Sequence, residues 1–328
     1  MSAKKSTTLY RPFLREAFVI TWKRKSLWIF GIFAALISTG GIMDLVWRTL
    51  QKVERTESLL ENLSSASFIG YRVAASYIGQ LATLGPERSS MILIAITLMG
   101  ILLVIIATLS QGALILGIRA KDPQNPYTLR TQAASSFWSL FLIGTLNKIL
   151  MGILIGLMTL PLWLISLSTV PAHIVVFGIL MCVFLPATII VNIIYMFALI
   201  DIVETHAHPL DAIHTGWRLF TKQWLAIGEY GILLFILVLA GSVILLALLT
   251  LLLVPYSILF TVAVLTGSFP VFLLFNSISA SLLIGMLLMF GGASVTFQYS
   301  AWYKFYQRGL HKTHGKKAFS KILRLMKT

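Results

Sequence analysis

Long apolar segments alternate with short polar ones along the chain, and six of them are long enough to cross a lipid bilayer. A membrane-spanning helix needs about 20 predominantly apolar residues to cover a hydrocarbon layer of about 30 Å. The six predicted spans cover residues 27–46, 90–118, 138–168, 174–200, 224–253 and 272–303. The pattern therefore predicts an all-α fold, a polytopic transmembrane helix bundle forming a single membrane domain.

A shorter amphipathic segment precedes every second span. In the last of these segments Leu210, Ile213 and Trp217 recur at a spacing of three to four residues, whereas Asp211 and Arg218 fall on other faces. This spacing is typical of a helix with one apolar face, and such a helix lies in the headgroup plane of a membrane. The predicted interfacial helices cover residues 9–25, 128–137 and 209–223.

Each amphipathic segment carries an Ala followed five positions later by a Trp. The pairs are Ala17 and Trp22, Ala133 and Trp138, and Ala212 and Trp217. We interpret them as a repeat, which predicts three tandem units, each an interfacial helix followed by a hairpin of two spans. Alternatively, the Trp residues only mark span ends, as in any aromatic belt. The predicted interfacial anchors are Trp22, Trp138, Trp217 and Trp224.

Composition excludes a soluble globular protein. Charged residues make up 11% of the chain and hydrophobic residues 58%, whereas soluble domains average about 25% charged and about 45–50% apolar residues. Residues 230–303 contain no Asp, Glu, Lys or Arg at all. The only cysteine, Cys182, lies in an apolar stretch, which predicts a buried thiol and neither a disulfide nor a thiolate metal site.

The distribution of positive charge predicts the orientation. If both termini are cytoplasmic, 20 of the 26 Lys and Arg residues lie on the cytoplasmic side, and five lie in one external loop, 47–89, beside four Glu residues. The positive-inside rule favours this orientation. The basic cytoplasmic tail, 304–328, and the interfacial helices then face anionic lipid headgroups, which are the predicted partners. We predict neither a nucleic-acid partner nor a cofactor.

Two stretches of the chain resemble a known group of membrane proteins. "LREAFVITWKRKSLWIFGIF" and "HPLDAIHTGWRLFTKQWLAIG" are similar to segments of bacterial six-span integral membrane proteins of unknown function. That group is related to the membrane domain found beside glycerophosphoryl diester phosphodiesterases. The resemblance implies an all-helical protein of the bacterial cytoplasmic (inner) membrane. The resemblance implies no catalytic residues in this chain, because the phosphodiesterase activity of those proteins resides in a separate soluble domain.

Polar residues inside the predicted spans form the first candidate site. Lys148, Asn192 and Glu229 fall at comparable depths in three spans, and ionisable residues within a membrane are costly and often functional. One interpretation is an intramembrane polar cluster for binding or permeation that opens to the cytoplasm. The other is structural: Lys148 extends toward the headgroups, and Glu229 caps the junction between an interfacial helix and a span.

The loop between the fourth and fifth spans forms the second candidate site. It contains Glu204, His206, His208 and His214, and imidazole and carboxylate groups are ligands that suit zinc, nickel or iron. The loop lacks His-Glu-x-x-His and similar motifs, in which a helix places two metal ligands one turn apart. His214 also has a structural interpretation, as a residue on the polar face of the interfacial helix.

The sequence favours a non-enzymatic scaffold or lipid-interacting protein over two alternatives. A transporter of small solutes or lipids would use Lys148, Asn192 and Glu229. A metal-dependent membrane enzyme would use the loop from His206 to His214. The external loop contains no histidine and no Ser-His or Cys-His pair, so it offers no residues for hydrolysis.

Overall fold

Every regular element in the described part of the chain is helical, which confirms the all-α prediction. A computed structural model describes residues 10–38, 85–120, 122, 124–165, 170–265 and 269–310. Most of the predicted external loop and of the basic tail lies outside these residues. The elements are α1 (Arg11–Lys23), α2 (Leu27–Ser38), α3 (Pro86–Arg119), α4 (Pro126–Ala134), α5 (Phe137–Ile165), α6 (Val170–Thr205), α7 (Pro209–Leu265), α8 (Phe269–Lys304) and a π-helical turn (Phe305–Leu310).

Five of the helices are long and apolar enough to cross a membrane. The qualifying segments are Glu87–Arg119, Phe137–Leu157, Gly178–Thr205, Pro209–Val262 and Phe272–Gln307. The remaining predicted span, 27–46, begins with α2, and its last eight positions lie outside the described residues. The coarse expectation of a membrane protein built from several apolar helices therefore holds.

Proline and polar side chains fix where the shorter helices begin. Pro12 and Pro126 stand in the first turns of α1 and α4, where a missing N–H costs nothing. Asn125 caps α4 by accepting a hydrogen bond from the backbone N–H of Tyr127 at 3.0 Å. This helix ends at Ala134, earlier than the predicted 137, because residues 135 and 136 form a turn before α5.

The third amphipathic segment is continuous with the long helix that follows it. Non-helical dihedral angles occur at Gln223 (φ −136°, ψ 30°) inside α7, at the boundary where the sequence predicts the interfacial helix to end. The segment from Pro209 to Gln223 is hereafter the first arm of α7. The transition is therefore a kink in one element, whereas α1 and α2 are separated by a break at residues 24–26.

The long helices pack in consecutive pairs, and the shorter segments join one pair to another. The pairs are α2 with α3, α5 with α6, and α7 with α8, and α2 also packs along α8, which brings the first pair and the last pair together. The short helix α4 packs along α3, the first arm of α7 packs against α6, and α1 packs along α8. Each short segment thus contacts the second long helix of the preceding pair, and α1 closes the series by contacting the last one.

The three alanines of the repeat occupy equivalent positions in this arrangement. Ala17 and Ala212 are fully buried and Ala133 is 1% exposed. A methyl group added at Gly112 of α3 would lie 3.2 Å from the Cβ atom of Ala133, so the short helix sits close to the backbone of its neighbour. The Ala of each repeat therefore faces the bundle.

The packed core lies at the end of the bundle where the short segments attach. Buried side chains are concentrated in residues 107–118 of α3, 193–203 of α6 and 295–306 at the end of α8. Residues 91–105 of α3 expose most of their large apolar side chains.

Cys182 is also exposed, on α6, so the prediction of a buried thiol is wrong. An apolar neighbourhood in a membrane helix does not imply burial, because lipid can cover that face.

Candidate functional site

A basic cleft lies at the packed end of the bundle, between α1 and the last residues of α3 and α8. Its volume is about 900 Å³, within the range of roughly 300–1,000 Å³ typical of ligand sites. Five cationic side chains and one carboxylate line it. They are Arg11, Arg15, Arg24, Arg119, Lys304 and Glu16, and the remaining lining residues are Pro12, Val19, Ile20, Ile118 and Ala120.

Helix geometry brings these cations together. Arg11 and Arg15 are one turn apart on α1 and therefore lie on the same face. Arg119 and Lys304 are the last residues of α3 and α8. A basic residue at a helix C-terminus is favoured there because the unpaired carbonyls carry partial negative charge. The contact of α1 with α8 places all of them around one opening.

Arg24 fixes the position of α1 relative to α3. Its Nη1 atom donates to the carbonyl oxygens of Gly117 and Ala120, at 2.6 and 2.7 Å. These carbonyls belong to the end of α3, where no further turn supplies N–H partners. The guanidinium therefore caps α3 and holds the wall of the cleft in place.

A network of acids and tyrosines supports the cleft from inside the bundle. Arg119 forms an ion pair with Glu204, with Nε and Oε2 3.6 Å apart, and Tyr303 donates a hydrogen bond to the same carboxylate. Tyr306 donates to buried Asp201 at 2.9 Å. Both acids lie near the end of α6, so these bonds join α6 to the end of α8. Buried carboxylates need such partners.

Two residues of the predicted intramembrane polar cluster form hydrogen bonds with residues outside it. The carboxylate of Glu229 accepts a hydrogen bond from the hydroxyl of Tyr10 at 2.5 Å, which ties α7 to the start of α1. The Asn192 amide donates to the carbonyl of Thr188 in its own helix at 2.9 Å. Lys148 is exposed on α5. The bond of Glu229 joins two helices, that of Asn192 lies within one helix, and the cluster as a functional site stays a prediction.

The histidine loop is not arranged as a metal site. Within the described residues, no group of three or more His, Cys, Asp and Glu side chains is placed to hold a metal ion. Glu204 is engaged by Tyr303 and Arg119, and the Nδ1 atom of His206 lies 3.1 Å from the hydroxyl of Ser136. His208 and His214 are exposed.

All four predicted anchor tryptophans are exposed on the bundle surface. Trp22 is 59% exposed, Trp138 71%, Trp217 52% and Trp224 62%. Trp22 stacks on Phe18, with ring centroids 6.1 Å apart, on a face of α1 next to the cleft. Large exposed aromatic rings are unfavourable in water and suit the boundary between headgroups and acyl chains. Their role as anchors stays a prediction.

In the sequence, the basic residues of the cleft indicate only which side of the membrane they face. The one-turn spacing of Arg11 and Arg15 is visible in the sequence, but their proximity to Arg119 and Lys304 depends on α1 packing against the last helix. Tyr10, Tyr303 and Tyr306 carried no local signal, because their acidic partners lie 219, 99 and 105 positions away.

Comparison with known proteins finds no matching protein-family model, no matching curated protein and no matching solved structure.

Proposed function

We propose that this chain is a non-enzymatic integral protein of the bacterial cytoplasmic membrane, acting as a lipid-interacting or scaffold component. The observation that carries the proposal is the grouping of basic side chains and exposed tryptophans at one end of a bundle of long apolar helices. Cations that reach lipid phosphates and aromatic rings at the acyl boundary are the two features by which a protein binds the membrane surface.

The full topology belongs to the same proposal. In it six spans form three hairpins, each hairpin is preceded by a helix in the headgroup layer, and both termini are cytoplasmic. The consecutive pairing of the long helices and the equivalent burial of Ala17, Ala133 and Ala212 support three repeated units. The positive-inside distribution supports the orientation. The basic end of the bundle is then its cytoplasmic end.

Transport and metal-dependent catalysis remain the alternatives. The hydrogen bonds of Glu229 and Asn192, and the contacts of Glu204 with a tyrosine and an arginine, stabilise the helices and favour neither alternative. The resemblance to six-span bacterial membrane proteins agrees with the proposed function and stays an expectation.

Lipid co-purification tests the proposed function. The full chain is extracted from bacterial membranes in a mild detergent, and the phospholipids that remain bound are quantified against the whole membrane extract. We expect anionic phospholipids to be enriched over their share of the membrane, and the enrichment to fall after a wash in high salt, which screens exposed charges. A bound fraction with the composition of the whole membrane would contradict the proposal.

A further inference from the structure

The basic cleft has the composition of a phosphate-binding site. Five cations surround one opening with a single carboxylate among them. Four of the five are arginines, whose planar guanidinium groups bind phosphate oxygens in pairs. Positive charges grouped around one opening repel one another, and an anion bound in the cleft would offset this repulsion.

The cations of the cleft have different roles. Arg24 caps the end of α3 and Arg119 pairs with Glu204, so both have structural bonds. Arg11 and Arg15 are exposed, and neither forms an ion pair with any residue that the structure describes. These two side chains are therefore the ones positioned to contact a ligand.

The cleft also has an apolar side. Val19, Ile20 and Ile118 line it together with the cations. The Phe18 and Trp22 pair lies on the adjoining face of α1, with both rings about 60% exposed. A ligand that fits both surfaces carries a phosphate at one end and apolar chains at the other.

We infer that the cleft binds the phosphate headgroup of one anionic phospholipid per chain, with Arg11 and Arg15 contacting the phosphate and the acyl chains lying against Val19, Phe18 and Trp22. This inference rests on the proposed function and specifies its site. A soluble phosphate ester shares the headgroup chemistry but would leave the apolar side of the cleft uncovered.

Native mass spectrometry of the full chain in detergent tests the inference. The protein is titrated separately with phosphatidylglycerol, with zwitterionic phosphatidylcholine and with glycerol 3-phosphate. The test variant carries Arg11→Gln and Arg15→Gln together. The matched control carries Arg130→Gln and Arg218→Gln, which remove two exposed cations from α4 and the first arm of α7, outside the cleft. Thermal midpoints establish that each variant is folded, and Arg15→Gln alone serves as a milder second variant.

We expect the wild type to bind one phosphatidylglycerol tightly and the cleft variant to bind it roughly tenfold more weakly, as the loss of two cations near a phosphate implies. The control variant loses as many cations from the predicted headgroup-facing helices but none from the cleft, so it keeps wild-type affinity for the one tightly bound lipid. Phosphatidylcholine binds more weakly than phosphatidylglycerol to the wild type. Equal affinity of the cleft and control variants for phosphatidylglycerol would overturn the inference. Binding of glycerol 3-phosphate as tight as that of the lipid, lost in the same variant, would overturn the lipid assignment and leave a soluble phosphate site.

The outcomes also separate this inference from the proposed function. If the purified wild type retains no excess of anionic lipid, the proposed function fails, whatever the variants do. If the wild type retains anionic lipid and the cleft variant retains as much, only the assignment of the cleft fails.

Discussion

Replacing Phe305 with Ala is expected to destabilise the protein strongly. Phe305 is fully buried and stacks on Tyr230, with ring centroids 4.3 Å apart and ring planes within 6°. Its ring also lies 6.3 Å from that of Phe13 and 6.4 Å from that of Tyr10. One side chain from the end of the last long helix thus packs against α7 and the N-terminal helix together.

The expected cost of Phe305→Ala is roughly 3–5 kcal/mol of unfolding free energy, because the substitution removes a buried ring and leaves a cavity. Denaturant unfolding of the purified protein in detergent measures it. Phe235→Ala is the matched control, since Phe235 lies on α7 with 62% of its surface exposed. The control should change stability little. Equal losses in the two variants would show that Phe305 does not join α1 to the bundle.

Gly292 is expected to tolerate no side chain, whereas its neighbour Gly291 does. A Cβ atom at Gly292 would lie 2.6 Å from the carbonyl oxygen of Trp28 and 2.8 Å from Cγ1 of Ile32. A Cβ atom at Gly291 would meet nothing within 4 Å. A Cβ atom at Gly31 of α2 would likewise clash with the carbonyl oxygen of Gly292, so the backbones of the two helices approach closely here, where small residues allow membrane helices to pack.

Gly292→Ala should lower the unfolding free energy by roughly 1–3 kcal/mol, because the helices must move apart to accommodate the methyl group. Gly291→Ala should leave stability unchanged or raise it by up to about 1 kcal/mol, the advantage of Ala over Gly in a helix. Thermal unfolding of the two variants in the same detergent compares them directly. Equal midpoints would contradict the close packing of α2 on α8.

The helical segments were predictable because apolar and amphipathic periodicity depends on local sequence. The Ala and Trp spacing located three equivalent segments, and the structure buries each Ala and exposes each Trp of these pairs. The boundary of the third segment at residue 223 was also predicted, and the structure places a kink within one continuous helix there. A change of direction within a helix depends on what each arm packs against.

The candidate site was not predictable, because long-range packing creates it. Arg15 and Arg119 line one cleft only because α1 packs along α8 and Arg24 bonds to the end of α3. For the same reason the sequence gives no sign of the bond between Tyr10 and Glu229, which lie 219 positions apart. The sequence indicates which helix carries a polar residue, whereas the direction that its side chain faces depends on how the helices pack.

Accessibility of single cysteines tests the central claim, a lipid-facing bundle of three hairpins with both termini cytoplasmic. In a Cys182→Ser background, Glu87→Cys, Ser135→Cys and His208→Cys place one thiol in the first turn of α3, one between α4 and α5 and one between α6 and α7. Spheroplasts are treated with a membrane-impermeant maleimide before and after permeabilisation. We expect Glu87→Cys to react in intact spheroplasts, and Ser135→Cys and His208→Cys to react only after permeabilisation. Reaction of Ser135→Cys and His208→Cys from opposite sides of the membrane would contradict the account.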